Sequence, residues 1–329
     1  MIKLNLIYTL EAYQIALIII GVALLVIISG LIFMFAYTNK IATKLYLSQW
    51  ARQKNNQFQR GCSDASVDYH LDMYNQGMEF REKNLKYIHE VEIISSGLKL
   101  VGEYYDFGFK KAIIVLPGRT ETCYYGAYYA EAFKNGGYNV LCIDPRAHGN
   151  SEGNKITLGK EEGKDTISWA KFLHDKYGVE SICLYGLCGG ATSACFTLTD
   201  KDCPSYINSF IADGMFYSFY RLYKRHIVDL KKPPYPVIFQ VMSKIKKYNN
   251  VNPYKAKPFD MVDKINVPIL FLSGTKDIFA LPSEAKLMYE KCSSKDKKLV
   301  YINNARHSHL RYDNKKEYDD AVINFLRTH

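Results

Sequence analysis

The chain has 329 residues, 48% of them hydrophobic, with a formal net charge of +10. That length exceeds one ordinary domain of ~100–200 residues, and the apolar content excludes a disordered chain. The excess of 43 Lys+Arg over 33 Asp+Glu is spread along the sequence. It argues against a nucleic-acid partner and leaves an anionic membrane surface open.

After an N-terminal tail (residues 1–14), Ile15–Tyr37 is a run of 23 residues without a charge. As a helix it would span roughly 35 Å, enough for a bilayer core. A cleaved signal has a shorter apolar core and a small-residue exit. This run ends in Phe33, Phe35 and Tyr37, so an uncleaved single-pass anchor is expected. Lys40, Lys44, Arg52, Lys54 and Arg60 follow it, and only Lys3 precedes it. The positive-inside rule then puts the larger part of the chain in the cytoplasm, at the cell membrane. Residues 38–90 are polar with scattered aromatics such as Tyr46 and Trp50, and read as a juxtamembrane helical stalk.

From residue 91 the pattern changes. Val91–Ile94 and Leu98–Tyr105, around Ser96-Gly97, predict an antiparallel hairpin. Apolar runs follow at Ala112–Leu116, Asn139–Ile143, Ser181–Tyr185, Ser209–Ala212, Pro268–Leu272 and Lys298–Ile302. Such runs suit strands buried on both faces of a parallel sheet. Amphipathic stretches between them, such as Thr166–Tyr177 and Tyr318–Leu326, predict helices on both faces of an α/β domain at 91–329. A lid is expected at about 214–262. Its stretch Arg221–Lys257 carries ten basic residues and one acid, Asp229, and could meet a lipid surface.

Eight cysteines form no CxxC pair, and no His/Cys cluster has zinc spacing. Neither a metal nor a cofactor is expected. Cys188 differs from the others. The run Ser181–Tyr185 leads into Gly186-Leu187-Cys188-Gly189-Gly190, a G-x-nucleophile-x-G turn between strand and helix with Cys in place of Ser. The helix N-terminus it would occupy favours a thiolate. Asp277 follows the Pro268–Leu272 run, and both His307 and His309 follow Lys298–Ile302. Either histidine could act as the base by spacing.

Residues 91–329 resemble the α/β-hydrolase superfamily, particularly its membrane-anchored bacterial members. Leu116-Pro117-Gly118-Arg119 is similar to the family's oxyanion turn, with Pro117 for His. Asp144-Pro145-Arg146-Ala147-His148-Gly149-Asn150-Ser151-Glu152-Gly153 resembles its D-x-R-G-H-G-x-S-x-G loop. Thr157, Gly159, Glu162 and Asp165 continue the pattern. The resemblance implies an α/β-hydrolase fold and a Cys188–His307–Asp277 triad, with Asp213 as the alternative acid. It also implies an oxyanion hole from the backbone N–H groups of Arg119 and Gly189. The expected activity is acyl transfer to, or hydrolysis of, a small-molecule ester or thioester through an acyl-cysteine. A second reading is a non-catalytic membrane-bound binding module on the same scaffold. It draws on the substituted nucleophile and Pro117, and the retained Asp277 and His307 speak against it.

Overall fold

The computed structural model describes residues 2–50, 67–119 and 121–329. Arg52, Lys54, Arg60 and Cys62 lie outside the described residues. Helix α1 (Ile2–Gln49) is continuous. Among the described residues it alone is long and apolar enough to cross a membrane, and none of its most apolar stretch is buried in the chain. Its C-terminal part behaves differently, since Ala42, Leu45, Tyr46 and the adjoining Trp50 are buried. Helix α2 (Val67–Lys83) lies on the domain. A Cβ added at Gly77 would come within 2.9 Å of Tyr128 N, so the two backbones nearly touch. The segment between the apolar run and the hairpin is thus helical where described, and both of its helical parts pack on the domain.

The sheet is built from β1 (Ile88–Ser95), β2 (Leu98–Tyr105), β3 (Lys111–Leu116), β4 (Asn139–Ile143), β5 (Ser181–Leu187), β6 (Ile207–Asp213), β7 (Ile269–Gly274) and β8 (Lys297–Ile302). Its order is β1-β2-β4-β3-β5-β6-β7-β8. The β1–β2 and β2–β4 pairs are antiparallel and the rest parallel. All the expected strands are present, and the continuous burial of β3 to β7 agrees with a sheet covered on both faces. Helices α3 (Cys123–Asn135) and α10 (Lys315–Thr328), with the short α9 (Leu310–Asp313), cover one face. Helices α4 (Lys160–Tyr177), α5 (Gly189–Leu198) and α8 (Pro282–Lys291) cover the other. Between β6 and β7, in the stretch expected to form a lid, the chain makes helices α6 (Phe219–Asp229) and α7 (Val237–Asn249). These share a third apolar cluster with the end of α1.

The loop after β4 is tied down by buried charge. Asp144 accepts hydrogen bonds from Cys123 N and Asn150 N, each 2.8 Å. Arg146 forms a two-pronged pair with Asp165 at 2.7 Å, and Ser95 Oγ donates to the same carboxylate at 2.6 Å. Such a satisfied pair costs several kcal/mol to break from one side.

The tightest approach in the sheet is at the β5–α5 turn. A Cβ at Gly190 would sit 1.9 Å from Leu116 O at the end of β3. Gly190→Ala should therefore destabilise by ~3 kcal/mol or more, the upper end for overpacking. At Gly189 an added Cβ would meet only Arg119 N, at 3.8 Å. Gly189→Ala should leave the melting temperature nearly unchanged, and thermal unfolding of both variants in detergent checks the contrast.

Candidate active site

Cys188 stands between β5 and α5 with φ 51° and ψ −104°. Left-handed backbone at a non-glycine residue costs ~1–3 kcal/mol and persists only where its surroundings enforce it. The enforcing contacts are visible. Cys188 N donates to Asp213 O at 2.9 Å, and an added Cβ at Gly186 would lie 2.5 Å from Ala191 Cα. The turn thus holds the sulfur above the C-terminal edge of the parallel strands, where ligand crevices form in open α/β sheets.

His307 follows β8 and is buried. Its Nε2 lies 3.1 Å from Cys188 Sγ, and its Nδ1 lies 2.7 Å from Asp277 Oδ2. Asp277 follows β7, and its other oxygen accepts from Phe279 N (2.8 Å) and Ala280 N (2.7 Å). These bonds aim the carboxylate at the imidazole and fix the tautomer with the proton on Nδ1. Burial alone favours a neutral imidazole. The Asp277 carboxylate and the Cys188 sulfur outweigh it and hold His307 well above its ordinary 6.5.

His309 is turned elsewhere. Its Nδ1 donates to His307 O at 2.7 Å, and its ring stacks on His70 with centroids 5.2 Å apart. Asp213, named above as the alternative acid, ends β6 but faces the other way. Its Oδ2 accepts from the hydroxyls of Tyr185 and Tyr318, each 2.8 Å. Of the two aspartates, Asp277 is the one that meets the imidazole.

The β3 turn lies beside the sulfur. Gly118 N donates to the buried Glu121 Oε2 at 2.9 Å, which shapes the turn. The next residue, Arg119, brings its backbone amide beside Gly189. The Arg119 side chain reaches the top of the crevice, donating to Gln49 O at 3.0 Å and lying 5.2 Å from the Trp50 ring.

Sequence reasoning missed this roof. Trp50 packs edge-on against Phe219 (5.0 Å) and Tyr223 (5.6 Å) of α6, and Tyr223 Oη donates to Gln49 Oε1 at 2.8 Å. The end of α1 is therefore a wall of the crevice that contains Cys188 and His307. Gln49 and Arg119 are 70 residues apart, and no local signal joins them. Below the roof the crevice is mainly apolar, with Leu116, Ile143 and Phe216 among its lining. It suits a hydrocarbon chain attached to a polar reacting group.

The profile of the family described as serine aminopeptidase, S33, matches residues 258–314, the segment that carries Asp277 and His307. The chain is 27% identical over 217 residues to the uncharacterized protein YqkD of Bacillus subtilis, covering 65% of this chain and 70% of that one. Among solved structures it is similar to the Pyrococcus furiosus esterase Pf2001. There the identity is 25% and the TM-score 0.64, covering 75% of this chain and 93% of that one. A Pyrobaculum calidifontis esterase shares the fold at 16% identity and TM-score 0.57, covering 82% and 94%.

His226 on α6 stacks on Phe279 with centroids 3.9 Å apart. Burial, with the charges of Arg119 and His307, pushes it down to about 2. Folded protein keeps it neutral, whereas the unfolded chain protonates it below its ordinary 6.5. The unfolded state then binds more protons, so stability falls as the pH drops below 6.5. From pH 7 to pH 5 this group should cost about 2 kcal/mol. In denaturant unfolding at the two pH values, His226→Phe should lose about that much less than wild type. Fold, strand order and comparisons together give this chain the α/β-hydrolase fold, with esterases among its structural neighbours.

Proposed function

We propose that the chain is a membrane-anchored α/β-hydrolase that cleaves or transfers small-molecule acyl esters or thioesters through an acyl-cysteine at Cys188. The observation that carries this reading is the line Cys188 Sγ–His307 Nε2 (3.1 Å), His307 Nδ1–Asp277 Oδ2 (2.7 Å). A nucleophile, a base and a group that orients the base stand in hydrogen-bond reach of one another.

In this mechanism His307 holds the proton given up by Cys188, as a thiolate–imidazolium pair, and the sulfur attacks the acyl carbonyl. A C–S bond forms, and the carbonyl electrons move to oxygen. The backbone amides of Arg119 and Gly189 receive that oxyanion, an effect worth roughly 3–4 kcal/mol per donor in related sites. Collapse expels the alkoxide or thiolate, which takes the proton from the His307 imidazolium. Water, or an amine or thiol acceptor, is then deprotonated by His307 and attacks the thioester. The sulfur leaves as the thiolate, and the pair with the His307 imidazolium is restored. Asp277 remains ionised throughout and stabilises the imidazolium. The uncharged run of α1 serves in this reading as a single-pass anchor, and the charge that follows it supports a cytoplasmic domain.

Hydrolysis of short thioesters by detergent-solubilised protein tests the chemistry. Cys188→Ala should abolish turnover, and Asp277→Asn should lower it by about 10³–10⁴. Turnover by Cys188→Ala equal to wild type would remove Cys188 from the mechanism. A wild-type protein that binds such thioesters without turning them over would favour the binding-module reading. Orientation has its own check. Protease added to intact cells should leave residues 91–329 uncut, and cleavage from outside would reverse the topology.

A further inference from the structure

The apolar run of α1 does not end in isolation, because lid helix α7 lies beside its last turns. Gln240 Nε2 donates to Phe35 O (3.2 Å) and Thr38 Oγ1 (3.1 Å). Further along, Tyr46 Oη donates to Asn249 Oδ1 (2.8 Å). Both helices advance between these ties, so they run parallel and almost in step. The N-terminal end of α7 therefore sits level with the end of the apolar run.

That end carries exposed aromatics. Phe239 is 50% exposed and Tyr235 48% exposed, and their rings pack together at 5.5 Å. On α1 the same level holds exposed Phe35 and Tyr37. Lysines follow on both helices. Exposed Lys40 and Lys44 come after Tyr37 on α1. On α7, Lys244, Lys246 and Lys247 come roughly 8–12 Å beyond Phe239. Neither α7 nor α1 beyond Glu11 contains a carboxylate. Aromatics level with the end of an apolar span, then cations a turn or two outward, is the order that a bilayer interface selects.

We propose that the N-terminal end of α7 docks in the membrane–water interface of the leaflet from which α1 emerges. Phe239 and Tyr235 sit at the headgroup–acyl boundary, and the three lysines face anionic headgroups. The proposal rests on the reading of α1 as an anchor. It adds a second membrane contact, on the lid itself. A span and a docked lid together hold the crevice roof at a fixed height above the lipid, because α7 and Trp50 belong to one apolar cluster.

The test uses full-length protein in nanodiscs of phosphatidylcholine brominated near the headgroup end, or at the terminus, of its acyl chains. The native Trp50 and Trp169 are buried and supply a constant background. Added tryptophans report depth in Val26→Trp, Phe239→Trp and, as a second lid probe, Tyr235→Trp. The expected result is that both lid probes lose most of their added emission to the shallow bromines. Val26→Trp should lose its emission to the deep ones. Quenching of Val26→Trp with unchanged emission from both lid probes would overturn the lid contact and leave the anchor standing. No quenching of Val26→Trp would overturn the anchor and the proposal with it. With anionic phosphatidylglycerol added, lid quenching should rise. Changing Lys244, Lys246 and Lys247 to Gln should reverse that rise, each lysine being worth roughly fivefold in docked population. Lid quenching indifferent to both changes would overturn the lysine part.

Discussion

The close approach of the β5–α5 turn to the end of β3 sets the rest of the site. The space at Gly190 is limited by Leu116 O, and the space at Gly186 by Ala191. With no room for side chains, strand and helix meet at an angle that pushes Cys188 into left-handed backbone. The same contact brings the Gly118-Arg119 turn against the helix N-terminus. The sulfur and the two neighbouring amides are thus consequences of a single steric constraint. The strain at Cys188 is offset by the packing around it, in the manner of a site whose geometry is fixed before substrate arrives.

The second half of the site is electrostatic. Asp277 spends one oxygen on two backbone amides and the other on His307. The imidazole is buried, and burial would normally discharge it. The neighbouring Asp277 carboxylate and Cys188 sulfur reverse that preference. The nearby His226 shows the opposite outcome in the same crevice. Burial, with Arg119 and His307 near, holds it neutral. Two histidines on one apolar roof and floor thus take opposite protonation tendencies, set by what faces each of them.

Much of this was legible in the sequence where the signal is local. The Gly186–Gly190 turn is a run of adjacent residues. Asp277 and the 307–309 pair stand just past apolar strands, and all the predicted strands appear. What was not legible depends on distant contacts. His307 and His309 have nearly the same spacing from β8, and it takes distant partners to separate them, Asp277 and Cys188 for His307 and the ring of His70 for His309. Asp213 and Asp277 both follow strands, and it takes the tyrosines of β5 and α10 to draw Asp213 away. Helix α3 was not predicted because it is buried nearly all round, so its apolar residues show no clean helical stripe. The wall formed by Gln49 and Trp50 was hidden for a different reason. Trp50 reads as an ordinary packing aromatic until α6 folds over it.

The central claim is that Cys188 carries the acyl group between donor and acceptor. Rapid-quench intact-mass spectrometry of the full-length protein, mixed with an activated short-chain thioester, tests it most directly. The account predicts an acyl adduct that appears within the first turnover, approaches one per chain, maps to Cys188 and decays as product is released. Turnover with no adduct at any time, or an adduct that maps to another cysteine, would contradict it.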